Sequence, residues 1–301
     1  MPKVSVIIAS YNMGHLVLGT IKSCIAQTGV EKEIIVYDDC STDNTEEAVT
    51  RIKTVKYVRG EKNLGVGDAF NAGMKLATGQ YVILMCADDL LVSRHVLSDM
   101  TKIMEEKPTV GYVTRWYYQF INDDIWSPVR AWRGNNPILL ANNPSGLMFR
   151  AEALEGKRCS NAMFVETSFL AASVKQSGWE TAILPYDAVA VRVHDSTSRE
   201  KEYWLKHRVS SPVLDWTAIG CPEIAQDYVS FIQIKNGFTM DAVWEEIVNF
   251  AKVRPLNLLN PKYYFWATVA LVTPRRVLRK LPPFYRAYIG RGLTEIKKRR
   301  M

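Results

Sequence analysis

The sequence predicts an α/β protein in which a mostly parallel sheet is covered by helices on both faces and followed by a helical C-terminal extension. Three observations carry this reading. Short β-branched runs alternate with amphipathic stretches through the first half of the chain, the pattern left by successive strand–helix–strand crossovers. The predicted helices of that half end in breaks, at Gly29, Lys53-Thr54 and Gly79, as crossover connections require. Of the 301 residues, 48% are apolar and 23% charged, which excludes a disordered, collagen-like or coiled-coil chain.

Val4 to Ala9, Glu33 to Tyr37, Val55 to Val58 and Tyr81 to Met85 read as buried strands, because their apolar runs are short, β-branched and bounded by polar or turn residues. Leu16 to Gln27 reads as a helix whose apolar residues Leu16, Ile21, Cys24 and Ile25 share one face. Asp43 to Lys53 is a second helix, with Ser41 and Thr42 expected to cap it, and Gly67 to Ala77 a third. Ser93 to Glu106 is a fourth, ending before Pro108 and leading into a strand at Val110 to Thr114. From Trp116 to Pro144 the periodicity fails, and an irregular insertion forming part of a binding face is expected. Ser145 to Arg150 is then a strand, Glu166 to Gln176 a helix ended by Gly178, and Thr181 to Leu184 and Val189 to Val193 two further strands. Beyond about Ser198 the pattern is helical, clearest at Asp241 to Val253 and Tyr263 to Lys280. The expected boundaries are therefore a first domain at 1–198, with halves at about 1–95 and 96–198, and a helical, basic region at 199–301.

The charge is uneven. Residues 274–301 hold ten Lys or Arg against the single acid Glu295, a net +9 that leaves −2 for residues 1–273 out of the total of +7. A nucleic-acid-binding protein would explain that tail but not a slightly acidic body, and no nucleic-acid partner is expected. The tail residues Phe284, Tyr285, Tyr288 and Ile289 interleave with the basic ones, and with the apolar run from Tyr263 they suggest a segment that lies on an anionic membrane surface through 263–301; a solvated basic face is the plainer alternative. The longest apolar run there, Tyr263 to Thr273, falls short of the ~20 residues of a spanning helix, and the first residues lack the pattern of a signal peptide. A cytoplasmic protein is expected, peripheral on the inner face of the cell membrane where that segment binds it. Five cysteines, odd in number and without a CxxC pair, point to free thiols instead of a disulfide framework or a zinc knuckle.

In open α/β sheets ligands bind at the carboxyl ends of the strands. There the sequence places Ser10-Tyr11-Asn12, Asp38-Asp39-Cys40-Ser41-Thr42-Asp43, Asn63-Leu64-Gly65-Val66-Gly67 and Cys86-Ala87-Asp88-Asp89. Two acidic pairs at neighbouring strand tips repel one another unless a cation or hydrogen-bond donors compensate. Adjacent carboxylates suit a hard divalent ion, Mn2+ or Mg2+, which takes oxygen ligands and keeps positions open for phosphates. Neither GxxxxGK[ST] nor GxGxxG follows the first strand, which sets the P-loop and dinucleotide classes aside.

The strings Val4-Ser5-Val6-Ile7-Ile8-Ala9-Ser10-Tyr11-Asn12, Glu33 through Asp43, Asn63-Leu64-Gly65 and Ala87-Asp88-Asp89 resemble, in order and spacing, the family 2 glycosyltransferases of GT-A fold. The likeness is strong over residues 3–95, weaker to about 198, and absent beyond. It implies a Rossmann-like catalytic domain with a nucleotide-sugar half and an acceptor half. It also implies inverting sugar transfer from a nucleotide-diphosphate sugar, with a divalent cation, to a hydroxyl of a glycan or lipid-linked acceptor in cell-surface polysaccharide synthesis. Carried over by position, Asp39 contacts the base, Ala9 and Tyr11 line the nucleotide pocket, Asp88 holds the ribose and Asp89 the metal on the diphosphate. Many members carry a third acid where Cys86 stands, so Cys86 receives no ligand role. Glu166 takes the place of the family's base, with Thr167 where an Asp commonly follows, and His194 falls where several members supply a histidine to the metal or diphosphate.

Each assignment has a structural competitor. Asp38 and Asp39 could merely shape a turn, Glu166 could complement its helix dipole, and His194 could be a structural histidine. Trp116, Tyr117, Tyr118, Phe120, Trp126 and Trp132, with Arg115, Arg130 and Arg133, offer stacking for an acceptor, though packing accounts for most of them. A sugar nucleotidyltransferase would show a Gly-rich basic loop after the first strand, and Ser10 to Gly14 is not one. A catalytically inactive homologue that still binds nucleotide sugar or carbohydrate is the other alternative, because Cys86 and Thr167 depart from the common pattern.

Overall fold

The computed structural model describes residues 1–120, 125, 130–133, 135, 137–141, 143–160, 166–192 and 248. The chain divides into two compact units, 1–197 and 198–301, and apart from residue 248 the described residues belong to the first. Apart from residue 248, the expected helices at Asp241 to Val253 and Tyr263 to Lys280, and the basic tail, lie outside the described residues.

In chain order the elements are β1 (Lys3–Ser10), α1 (Val17–Ile25), β2 (Glu31–Asp38), α2 (Thr45–Thr50), β3 (Val55–Arg59), α3 (Val66–Met74), β4 (Tyr81–Cys86), β5 (Leu90–Leu91), α4 (Val96–Glu106), β6 (Val110–Phe120), β7 (Arg130–Trp132), α5 (Pro137–Leu140), β8 (Leu147–Arg150), α6 (Glu166–Gln176) and β9 (Glu180–Arg192). The strands form one sheet of order β3-β2-β1-β4-β8-β6-β9-β5, with β7 paired to β6. β3, β2, β1 and β4 run parallel, β8 is antiparallel to both its neighbours, and β6 and β9 are again parallel.

The largely apolar character of β1 follows from burial on both sides. Val4, Val6 and Ile8 face a core built with Val17, Ile21 and Cys24 of α1, Val49 of α2 and Met100 of α4. Ile7 and Ala9 face the opposite core, with Phe70 of α3 and Leu170 and Val174 of α6. Alternating side chains therefore feed two apolar layers, and each fully buried Ile or Val contributes roughly 1.5–3 kcal/mol. Parallel register brings Ala9 level with Tyr37 and Cys86, so β1, β2 and β4 end along one edge.

Three expectations need correction. Trp116 to Phe120 is not irregular: β6 continues to Phe120, which is fully buried, and among the described residues that follow, Arg130–Trp132 form β7 and Pro137–Leu140 form α5. The two strands expected after α6 are one strand, β9; its pairing to β6 jumps from Leu184 to Asp187, so the bulge absorbs Pro185, which has no N–H to give to a ladder. Ser41 and Thr42 do not cap α2. The helix starts at Thr45, and the Asp43 carboxylate accepts the Thr45 N–H at 3.0 Å and the Gly14 N–H at 2.9 Å.

Candidate active site

The tips of β1 and β2 are bound into one rim by their polar residues. Asn12, at φ 54°, donates its N–H to Ser41 Oγ at 2.8 Å, and its Oδ1 accepts the Thr42 N–H at 2.8 Å. The two adjacent acids then take different tasks. Asp38 is fully buried and accepts from the Ser41 amide, the Ser41 hydroxyl and Tyr57 Oη, so it holds the turn together. Its carboxylate and the loss of solvent push the Tyr57 phenol above its ordinary range.

Asp39, also buried, accepts the Leu64 N–H at 2.9 Å on one oxygen and the Gly65 N–H at 2.7 Å on the other. These amides sit just before α3, where a carboxylate is favoured by the helix dipole. Gly65 adopts φ 93°, a region open to glycine, and that conformation lets its N–H reach Asp39. The Asn63-Leu64-Gly65 string is therefore fixed by the second acid of the Asp38-Asp39 pair, which accounts for the two motifs occurring together. Tyr11, half-buried, follows directly on β1, and Ala9 stands in the last turn of the pleat beside Cys86.

At the end of β4 the second acidic group is assembled. Ligand atoms of Cys86, Asp88 and Asp89 all lie within 4.8 Å of one another. Asp89 is 2% exposed; its Oδ2 accepts the Ser145 hydroxyl at 2.5 Å and its Oδ1 the Arg192 N–H at 3.0 Å. Loss of solvent, reinforced by the neighbouring Asp88 charge, raises the Asp89 carboxyl to about 8 despite these donors and the Arg115 cation. The Cys86 thiol is pushed well up by desolvation and then by Asp88 and Asp89. A buried carboxyl strained by a like-charged neighbour is what a divalent cation relieves, and the Asp88 and Asp89 oxygens are the donors a hard ion takes. The residues present fit such an ion.

Behind Asp89 runs a chain of hydrogen bonds from distant sequence. Arg115 is fully buried and donates to Leu140 O at 3.1 Å, Asn143 O at 3.1 Å and Asn143 Oδ1 at 2.6 Å. Asn143 Oδ1 also accepts the Ser145 N–H at 3.1 Å, and Ser145 Oγ accepts the Cys86 N–H at 2.8 Å while donating to Asp89. A buried guanidinium without such acceptors would cost several kcal/mol. Here it fixes the loop that presents Ser145. Burial still lowers Arg115 to about 10, and Asp89 works against that shift. Arg192 closes the other side, with Nε donating to Asp88 O at 3.3 Å and the guanidinium lying 4.6 Å from the Phe120 ring centre.

Glu166 opens α6 where the sequence predicts, and its charge reaches the same region, raising both the Cys86 and the Cys159 thiols. Thr167 is buried and donates its hydroxyl to Ala141 O at 2.7 Å, a packing role that leaves Glu166 as the acid at the start of the helix. His194, Trp126 and the rest of the 193–198 stretch lie outside the described residues. Sequence reasoning missed Ser145, Arg115 and Arg192, and set Cys86 aside although its Sγ belongs to the cluster. Ser145 carried a hint, as a polar residue opening a strand; Arg115 is expected from the sequence to offer stacking for an acceptor, and its full burial behind Asp89 corrects that; no local pattern marks Arg192.

Solved structures share this fold, a mostly parallel sheet covered by helices. Staphylococcus aureus TarS 1–349 in complex with UDP superposes with a TM-score of 0.63 at 17% identity, over 92% of this chain and 90% of that one. The mannosyltransferase PcManGT of Pyrobaculum calidifontis, in complex with GDP-Man and Mn2+, gives 0.55 at 19% identity, over 89% and 84%. Residues 5–165, just over half of the chain, match the family model for glycosyl transferase family 2, and the chain belongs to that family. Among curated relatives, the Escherichia coli UDP-Glc:α-D-GlcNAc-diphosphoundecaprenol β-1,3-glucosyltransferase is 32% identical over 114 residues, 37% of this chain and 45% of that protein. The matched stretch spans less than half the length of such relatives. Among the described residues, no helix is long and apolar enough to cross a membrane.

Proposed function

We propose that this protein is an inverting glycosyltransferase that moves a sugar from a nucleotide-diphosphate sugar to a hydroxyl of a glycan or lipid-linked acceptor, using a divalent cation. The observation that carries the reading is the convergence, along one sheet edge, of the Asp39-held loop with the Asp88-Asp89 pair. In this reading Ala9, Tyr11 and Asp39 form the base pocket. Asp88 meets the ribose, and Asp89, with His194, holds the cation. When bound, the cation neutralises the diphosphate and so eases its departure.

Glu166 accepts the proton of the acceptor hydroxyl as that oxygen attacks the anomeric carbon opposite the leaving diphosphate. Arg192 adds a fixed positive charge beside the acids. The lipid-linked acceptor class is supported by the Escherichia coli relative, whose name specifies a diphosphoundecaprenol-linked sugar. Such an acceptor lies at a membrane surface, which the basic 263–301 segment suits on the cytoplasmic side.

The test is a panel of nucleotide sugars measured by calorimetry with and without manganese. Binding of at least one donor only when the cation is present is expected, and a panel silent under both conditions overturns the reading. Glu166→Gln is expected to keep donor affinity while transfer falls by ~100-fold or more, since the amide cannot take the proton. Unchanged turnover would move the base elsewhere; an inactive wild type that still binds donor would favour the non-catalytic homologue.

A further inference from the structure

We propose that Cys86 is a third ligand in the cation site and makes this site selective for thiophilic divalent ions such as cobalt and zinc. The inference rests on the reading of Asp88 and Asp89 as the cation-binding pair and specifies which cations that pair accepts in this chain. Cys86 Sγ and the two carboxylates lie within 4.8 Å of one another, whereas a tetrahedral ion at ordinary Zn–S and Zn–O lengths would set sulfur and oxygen about 3.5 Å apart. An ion would have to draw sulfur and oxygen together by side-chain rotation, on a backbone held where Ser145 Oγ accepts the Cys86 N–H at 2.8 Å. Cys86 is partly buried, unlike Cys24 and Cys159, which are fully buried.

The chemistry follows from donor softness. A magnesium ion gains little from sulfur and leaves the thiol protonated, so it would be held by carboxylate oxygen alone. Cobalt or zinc displaces the thiol proton on binding: the S–H bond breaks, a metal–sulfur bond forms, and the proton leaves to solvent. Two carboxylates and one thiolate then supply three charges to an ion of charge two, with the Arg115 cation behind Asp89. The same three side chains therefore discriminate between ions that a purely carboxylate site would treat more alike.

The experiment titrates the full chain with cobalt chloride alone and follows the near-ultraviolet thiolate-to-cobalt charge-transfer absorption. Manganese binding is measured in parallel from the loss of the free-ion paramagnetic resonance signal. Wild type is expected to show the band, Cys86→Ser to lose it, and Cys40→Ser, which removes the other partly buried thiol among the described residues, to keep it. The ratio of zinc to manganese affinity is expected to fall at least about tenfold in Cys86→Ser, since loss of even an outer partner of a metal ligand costs that much. Circular dichroism, with Cys86→Ala as a second variant, checks that the fold survives. A wild type without the band, or a band that persists in both Cys86 variants, overturns the proposal. If manganese binds in that case, the Asp88-Asp89 reading stands; if neither ion binds up to millimolar concentration, both fall.

Discussion

Asp89 is the residue whose environment is hardest to reconcile with stability alone. Its carboxyl is raised to about 8 against an ordinary 3.8, so the folded chain holds a proton there that the unfolded chain releases. Between about pH 4 and pH 8 the folded state binds more protons, and this residue's contribution to stability falls as pH rises through that window. Asp89→Asn removes the charge, and the Ser145 hydroxyl can turn to accept from the amide. The melting temperature of Asp89→Asn relative to wild type is therefore expected to climb from pH 5 to pH 8. Manganese should raise the wild-type value and leave the variant unmoved; a difference independent of pH would refute the assigned cause. The acids themselves were legible in the sequence because a strand tip is a local feature: a β-branched run ending in Asp-Asp can be seen without knowing the fold. Arg115, Ser145 and Arg192 were not, since each reaches Asp89 from a strand or loop whose partner is fixed only by sheet order.

At the scale of elements, the turn entering β8 shows how the site is held. Gly146 has φ +80°, and a Cβ there would meet Val189 Cγ2 at 2.5 Å and Arg115 Nε at 2.9 Å. Gly146→Ala is expected to destabilise the protein by about 2–4 kcal/mol, combining left-handed strain with overpacking, as read by urea unfolding. A loss below about 0.5 kcal/mol would show that the loop yields without disturbing Arg115. The first four strands and α6 were readable because each is a single uninterrupted pattern of the right period. β6 beyond Thr114 was not: its outer half carries buried aromatics on a bulged pairing with β9, so the alternation that marks a strand is lost at Trp116 and Tyr117. Pro185 likewise divides β9 in sequence but not in space. Two-residue β5 is too short to leave a periodic trace.

At the scale of the whole chain, charge and chemistry are separated along the sequence: an acid-bearing sheet edge comes first and a +9 segment last. Deleting residues 274–301 is expected to release the protein from anionic vesicles at low salt, because each basic residue near such a surface contributes about 1 kcal/mol. Donor binding should persist in the truncated chain. Equal sedimentation of full-length and truncated protein would remove the membrane role, and retention on RNA alone would replace it. The sheet order has a consequence of another kind. β8 follows β6 in the chain yet lies between β4 and β6, so the two parts of the sheet cannot zip together in the order of synthesis. β1 to β4 pair through neighbouring crossovers, whereas β6, β8 and β9 must wait for a late strand to slot in, and non-local closures of that kind are slow. In pulse-labelled hydrogen exchange during refolding, amides of β1, β2 and β4 are expected to become protected before those of β8. The chain would then hold a finished nucleotide-side rim while Ser145, which β8 brings to Asp89, is still unplaced. Such an intermediate would leave the edge of β4 open to pairing with another molecule, so the strand that delivers Ser145 would also be the one that keeps nascent copies apart.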